Sequence, residues 1–368
     1  MVNYMITNQK IKKSLDEIKQ ITLLDVILYS AKHKFVASTI QDAEKLEDKV
    51  TFFIESEDEA SIIGDYSFFR VEVEDELEYV LITLSSEESN LVLGRMAACQ
   101  IKTLVRGESE RYDRSNFVQN ILLGNVLNAD IMLRSKKLHI ENKPRVVFVI
   151  DTGKHTNEMA LELVKNLSNI RSGDIVVAME ENNVVLVKDV SGVREDELEN
   201  HLNDIAKSLV DNLQMEAMIK VRVGYGNKID LLIKLAESYQ EAKLALEVGR
   251  VFYVEREIVS YGKLGIGRLI YQLPMSLCEM FIKEVFGDDV PEILDDEEAM
   301  STISKFFENN LNISETARQL YVHRNTLVYR LERIEKAIGL DIRSFDDAMT
   351  FRIAVMVLAH IRDNKKLI

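Results

Sequence analysis

The sequence of residues 312–338 is NISETARQLYVHRNTLVYRLERIEKAI, a pattern typical of a short helix, a tight turn and a longer helix. Asn312 and Ser314 both favour the start of the first helix, because their side-chain oxygens accept a hydrogen bond from a free backbone N–H. The predicted turn is Tyr321-Val322-His323. The second helix carries a buried stripe at helical spacing: Leu327, Leu331, Ile334 and Ile338. We therefore predict an all-α helix-turn-helix domain at residues 301–368.

The side of the second helix opposite this stripe is polar and basic. Between Thr316 and Ile338 there are five cationic and two acidic side chains, although the whole chain has a net charge of -15. DNA responds to the charge of the surface that docks on it, so the acidic total does not exclude nucleic acid. The N-terminal end of such a helix enters the major groove, where Arg can bind guanine and Asn can bind adenine.

The same segment resembles the C-terminal helix-turn-helix of CdaR/PucR-type transcriptional regulators. The resemblance rests on Asn312–Ala317 (NISETA) and His323–Leu331 (HRNTLVYRL), and it continues through Gly339–Arg343 (GLDIR) and the helix after Phe345. Membership of this family implies a bacterial transcription regulator whose partner is double-stranded DNA. It also implies a small-molecule effector drawn from catabolism.

The resemblance implies which side chains face the DNA. We expect Arg324 to contact a base, with Asn325 as the second choice. The phosphate candidates are Thr326, Tyr329 and Arg330. The full predicted set for DNA binding is Ser314, His323, Arg324, Asn325, Thr326, Tyr329, Arg330 and Arg333.

Several of these candidates have a purely structural alternative. His323 could serve only as a helix cap, and Tyr329 could pack on the surface of its own domain. Arg330 and Arg333 could pair with acidic neighbours on the same helix, Glu332 or Glu335. For the segment as a whole, the alternative is a generic helical hairpin with one basic face.

Residues 1–106 are predicted to form a PAS/GAF-like α+β sensor domain. The predicted elements are a helix at residues 8–22, a hairpin of Asp25–Tyr29 and Phe35–Thr39, a second hairpin of Tyr66–Val73 and Glu78–Leu84, and a helix from Glu88 to about Arg106. This domain lacks the Arg-Ile-Gly and His-Glu-Gly-Ala regions of the family's sugar-diacid sensor, so the sequence leaves the effector and its pocket open.

Residues 139–262 are predicted to form a degenerate GGDEF-like domain of the ferredoxin-like, cyclase-type fold. Arg145–Asp151 (RVVFVID) is nearly continuously apolar, as a buried strand is. The elements follow in the order β-α-β-β-α-β-α-β, with the last strand expected at Val251–Val254. Val223–Gly226 (VGYG) and Ser238–Leu246 (SYQEAKLAL) resemble a strand and a helix of the GGDEF-like domain in CdaR/PucR-type regulators.

The turn of the central hairpin in this domain argues against catalysis. An active diguanylate cyclase needs a glycine pair followed by carboxylates, because the backbone must approach the nucleotide and the carboxylates hold metal. Met179–Asn183 (MEENN) has two carboxylates but no glycine pair. We therefore expect no catalytic residues, no cofactor, no metal site and no enzyme activity.

The remaining predictions concern the connections and the surroundings of the chain. A helical linker is expected at residues 107–138 and a helical connector at 263–300, which makes the chain multidomain α+β. Two distant cysteines, no signal-peptide pattern and no long apolar run favour a cytoplasmic protein without a membrane partner. A homodimer or higher homo-oligomer is expected, since helix-turn-helix dimers bind paired half-sites.

These features favour a sequence-specific DNA-binding transcriptional regulator that responds to a small molecule and controls a catabolic operon. Two other functions stay open at this point. One is a catalytically inactive signalling protein that binds a nucleotide or cyclic nucleotide through its GGDEF-like domain. The other is an assembly module whose middle domain only dimerises.

Overall fold

The structure is a computed structural model that describes residues 8–40, 46–73, 75–84, 88–153, 157–167, 170–171, 173–180 and 182–367. The chain divides into two compact units. The first consists of Met1–Asn120 with Arg134–His139, and the second consists of Ile121–Leu133 with Ile140–Ile368. Each unit contains a β-sheet and several helices, which confirms the predicted α+β class.

The first unit is built on a five-stranded antiparallel sheet with the strand order β2-β1-β5-β4-β3. Its elements are α1 (Asn8–Thr22), β1 (Val26–Ser30), β2 (Phe35–Ser38), α2 (Glu47–Ser56), β3 (Ala60–Ile63), β4 (Tyr66–Val73), β5 (Glu76–Thr83) and α3 (Glu88–Leu122). Both predicted hairpins, β1–β2 and β4–β5, are present, and the arrangement fits the predicted PAS/GAF-like fold.

The two faces of this sheet bury different helices because successive strand residues point to opposite sides. Phe69 of β4 packs in a cluster with α1 and α3, which includes Leu15 and Ile101. The neighbouring Phe68 lies in a second cluster with Phe53 of α2. One pair of adjacent aromatic residues therefore anchors both layers.

Two features of this unit differ from the sequence prediction. The segment between the hairpins contains α2 and β3, which were not predicted. The helix expected to end near Arg106 continues to Leu122, because no residue breaks it and a second buried group, including Phe117 and Ile121, follows at helical spacing. Helix α4 (Asn128–Lys137) comes next, so the predicted linker at residues 107–138 consists mainly of helix, as expected.

The second unit begins with the middle domain, whose five-stranded sheet has the order β10-β9-β6-β8-β7. Its elements are β6 (Arg145–Asp151), α5 (Asn157–Asn166), β7 (Ile175–Met179), β8 (Asn183–Asp189), α6 (Glu195–Ala217), β9 (Arg222–Tyr225), α7 (Leu235–Phe252) and β10 (Ile258–Ser260). Strands β9 and β10 are parallel and the other pairs are antiparallel. The predicted buried strand is confirmed as β6, the centre of the sheet.

The position of the last strand was predicted wrongly. Val251 belongs to α7, which continues to Phe252, and the strand lies at Ile258–Ser260 instead. Helix α7 extends this far because its inner face remains buried as far as Val248 and Gly249. A Cβ on Gly249 would lie 2.7 Å from a methyl group of Val259, so this glycine lets β10 pack closely against the helix.

Two glycines explain the sequence motif around β9. A Cβ on Gly224 would lie 2.5 Å from the backbone oxygen of Ala242, and a Cβ on Gly226 would lie 2.2 Å from that of Ser238. Both oxygens belong to α7, so only glycine lets this helix lie so close to the strand. The Ser238 hydroxyl also joins the two layers, since it donates to the Asn227 oxygen at 2.8 Å.

The C-terminal part of the second unit consists of helices, as predicted. They are α8 (Ile266–Tyr271), α9 (Met275–Phe286), α10 (Glu297–Glu308), α11 (Ile313–Gln319), α12 (Arg324–Ile338) and α13 (Phe345–Leu367). Their shared core includes Phe306 of α10, Leu331 of α12 and Phe351 of α13. Over the described part of the chain, no helix has both the length and the hydropathy needed to cross a membrane.

Candidate nucleic-acid interface

Helix α11 begins at the residue that the sequence indicated. The Asn312 side chain caps the helix and accepts a hydrogen bond from the Glu315 N–H at 3.1 Å. Ser314 is exposed in the first turn. The Arg318 guanidinium hydrogen-bonds the Glu315 carboxylate and holds the pKa of Glu315 below its usual value. The positive charge of Arg318 is therefore paired within its own helix.

The turn leads directly into a second capped helix. The imidazole Nδ1 of His323 accepts a hydrogen bond from the Asn325 N–H at 3.3 Å, which makes His323 the N-cap of α12. His323 therefore caps the helix, and its side chain is also exposed. Capping fixes the direction of the first turn of α12.

Helix α12 divides into a buried and an exposed side as predicted. Leu327, Leu331, Ile334 and Ile338 are all buried against the core of the C-terminal helices. The side chains of Arg324, Asn325 and Thr326 are exposed in the first turn, and Tyr329 is 68% exposed one turn later. Four of the predicted contact residues therefore lie together on one accessible end of the helix.

Two of the predicted cations have acidic partners on a neighbouring helix. Arg330 lies 2.7 Å from the Glu298 carboxylate, and its side chain is only 31% exposed. Arg333 lies 3.3 Å from the carboxylate of Asp296, which also caps α10. The alternative of pairing within α12 named the wrong partners, because Glu335 binds Arg343. Exposed pairs of this kind add little stability, but they reduce the positive charge offered to DNA.

Arg324 differs from the other arginines of this segment. Among the residues that the structure describes, no acidic side chain forms a salt bridge with it, whereas Arg318, Arg330 and Arg333 each have one. Arg324 also opens the helix whose first turn is accessible. The arrangement leaves an uncompensated positive charge at the position suited to enter a groove.

Sequence reasoning missed one prominent side chain of this surface. Tyr321 in the turn is 97% exposed and has a φ of 56°. The sequence assigned Tyr321 only to the turn, since a tyrosine gives no signal for a left-handed backbone. Lys336 is likewise exposed, on the same side of α12 as Tyr329.

In the middle domain, the turn at the position of a cyclase signature is held by contacts with residues of the same domain. The Glu180 carboxylate lies 2.9 Å from the Lys243 ammonium of α7, and it accepts a hydrogen bond from the Asn183 amide at 3.1 Å. The hydrogen bond that the Lys243 ammonium donates to Glu180 raises the pKa of Lys243. Glu181 lies outside the described residues. The domain is thus a degenerate variant in which a described carboxylate of this turn binds the neighbouring helix.

A capped short helix, a tight turn and a capped longer helix with an accessible first turn define a helix-turn-helix protein. Comparison with protein families agrees. A GGDEF-like domain matches residues 124–248, and a PucR C-terminal helix-turn-helix domain matches residues 299–357. The chain therefore combines the two domains of the CdaR/PucR type of transcriptional regulator.

Two curated relatives of the chain are named as regulators. The chain is 31% identical to the purine catabolism regulatory protein of Bacillus subtilis (strain 168) over 39% of this chain and 27% of that protein. It is 24% identical to the carbohydrate diacid regulator of Escherichia coli (strain K12) over 66% of this chain and 65% of that protein. The chain thus spans between about a quarter and two thirds of the length of these relatives.

A comparison with solved structures finds a regulator of polyketide synthase expression from Bifidobacterium adolescentis. It is 15% identical, and the match covers 67% of this chain and 95% of that one with a TM-score of 0.30. A similarity at this level carries no argument about function.

Proposed function

We propose that the protein is a sequence-specific DNA-binding transcriptional regulator that responds to a small-molecule effector. The observation that carries this proposal is the accessible first turn of α12, with Arg324 exposed and outside any described salt bridge, above a fully buried apolar stripe. The name of one relative, the purine catabolism regulatory protein, supports control of a catabolic operon. Such a regulator would act in the bacterial cytoplasm, where the DNA lies.

The individual contacts follow from the chemistry of the exposed side chains. Arg324 would bind a guanine, with Asn325 beside it for an adenine. Thr326, Tyr329 and Ser314 would hold phosphates. His323 would act by fixing the start of α12, since its Nδ1 is already used as a cap.

Arg330 and Arg333 have a smaller part in this proposal than the sequence alone suggested. To bind a phosphate, each would have to leave an acidic partner on α10, Glu298 or Asp296. The exchange of one ion pair for another yields less than a new contact does. We therefore expect their contribution to DNA affinity to be below that of Arg324.

A homodimer or higher homo-oligomer is part of the proposal. One helix-turn-helix covers a single half-site, and dimers of such domains bind two half-sites spaced about 34–36 Å apart. The unit that contains residues 8–40 and 46–73 would supply the effector response. The degenerate middle domain would connect it to the DNA-binding domain.

Selection of bound duplexes from a random pool, followed by footprinting, tests the proposal. We expect a site with two related half-sites to be enriched. Arg324→Ala should weaken binding to that site by about 1–3 kcal/mol and relax the base preference at one position in each half-site. Arg330→Ala serves as the matched control, because it removes an arginine that already has a partner, and its effect should be smaller. Enrichment of no common sequence would contradict the proposal.

A further inference from the structure

The turn between α11 and α12 has the hydrogen bonds of a Schellman motif, a common end for a helix. The Val322 N–H donates to the Ala317 oxygen at 3.0 Å, and the Tyr321 N–H donates to the Arg318 oxygen at 3.2 Å. In this motif the residue at the position of Tyr321 adopts the left-handed conformation, and it is usually glycine. Tyr321 adopts it with a φ of 56°.

The exposed side chain of Tyr321 does not offset the cost of this conformation by packing. The left-handed region is unfavourable for a residue with a Cβ, because the Cβ approaches the following carbonyl oxygen. An aromatic ring could offset that cost by packing, but the Tyr321 side chain is 97% exposed. Glycine would close the same turn without strain. When packing does not offset the energetic cost of a strained backbone conformation, a functional role for that residue is worth testing.

The position of Tyr321 suggests what the ring contacts. Tyr321 lies two residues before the His323 cap, at the edge of the accessible first turn of α12. If α12 enters a groove, this edge faces the sugar-phosphate backbone that borders the groove. A tyrosine suits such a place, since its ring is rigid and its hydroxyl donates a hydrogen bond to a phosphate oxygen.

We propose that Tyr321 is a DNA-contact residue whose phenolic hydroxyl donates a hydrogen bond to a backbone phosphate beside the first turn of α12. The inference rests on the proposed DNA-binding function and adds a contact to it. The contact is made to the phosphate backbone, so it contributes equally on every sequence. The tyrosine hydroxyl is uncharged, so the contact releases no counterion. It therefore lowers the dissociation constant without changing the salt dependence of binding.

The test uses the full chain and a random-sequence duplex of about three helical turns, at low salt. We expect Tyr321→Phe and Tyr321→Gly each to weaken binding about tenfold, as loss of a hydrogen bond to a charged group does. The plot of log affinity against log salt should keep its slope. Tyr321→Gly should also raise the thermal midpoint of unfolding, because it removes the strain, so weaker binding cannot be attributed to unfolding.

Met218→Gly is the matched control. Met218 also ends a helix in the left-handed conformation, with a φ of 54° and an exposure of 89%, but it lies in the middle domain. It should gain stability and keep its DNA affinity.

Three results would overturn the inference while leaving the proposed function intact: full affinity of Tyr321→Gly, full affinity of Tyr321→Phe, or a lower thermal midpoint of Tyr321→Gly. Absence of binding by the unaltered chain, both to this duplex and to any site selected from the random pool, would instead refute the proposed function, and the inference with it.

Discussion

Replacement of Gly226 by alanine tests the packing of β9 against α7 in the middle domain. A Cβ at this position would lie 2.2 Å from the Ser238 oxygen and 2.8 Å from its hydroxyl. The backbone oxygen of a helix cannot rotate away as a side chain can. The strand and the helix must therefore separate by about 1.2 Å to restore ordinary contact.

The cost of this separation has two parts. Overpacking of a core costs about 1–3 kcal/mol. The Ser238 hydroxyl accepts a hydrogen bond from the Val147 N–H at 3.2 Å and donates one to the Asn227 oxygen at 2.8 Å, and both bonds span the gap that would open. Each contributes about 0.5–1.5 kcal/mol. We expect Gly226→Ala to destabilise the middle domain by about 2–6 kcal/mol, a large part of the stability of a typical domain.

Hydrogen exchange measured by mass spectrometry can read this effect locally. Peptides from β6, β9 and α7 should exchange much faster in Gly226→Ala, because opening of the domain exposes their amides. Gly262→Ala is the control, since a Cβ there would meet its nearest atom, the Asn227 side-chain oxygen, at 3.6 Å. Equal protection of β9 in Gly226→Ala and Gly262→Ala would refute the argument from close packing.

Three further predictions concern the C-terminal helices. Leu331→Ala should lower the free energy of unfolding by about 2–5 kcal/mol in urea titrations, because it leaves a cavity under α12; a change below 1 kcal/mol would contradict this. Asp296→Ala should cost about 1 kcal/mol, seen as a lower thermal midpoint, because this carboxylate caps α10. Burial lowers the pKa of His360 below its usual 6.5, so the unfolded chain binds the proton more readily. The contribution of neutral His360 to the free energy of unfolding should therefore be fully present above about pH 6.5. It should be lost as the pH falls towards the pKa of His360 in the folded chain. His360→Leu should reduce that loss in pH-dependent urea titrations, and an unchanged loss would exclude His360 as its cause.

Features set by local chemistry were accessible from the sequence. The stripe from Leu327 to Ile338 has the period of a helix with one buried side, and α12 follows it from end to end. The apolar run Arg145–Asp151 became the central strand for a similar reason, since a strand buried on both faces needs no alternation. In both places the pattern of side chains and the tertiary environment favour the same structure.

Features set by distant contacts were not accessible. The partners of Arg330 and Arg333 lie on α10, far along the chain, and no spacing rule links them. The segment at Val251–Val254 has the composition of a strand, but packing against β10 keeps its first residues in α7. The left-handed backbone of Tyr321 is imposed by the turn around it, against the preference of the residue.

The central claim is that the exposed side of α12 contacts DNA, and hydroxyl-radical footprinting of the protein tests it most directly. Tyr329 is 68% exposed in the free chain, and Tyr112 of α3, at 44%, provides an internal reference. With saturating duplex, we predict that oxidation of Tyr329 falls several-fold while oxidation of Tyr112 is unchanged. Equal oxidation of Tyr329 with and without bound DNA would contradict the account.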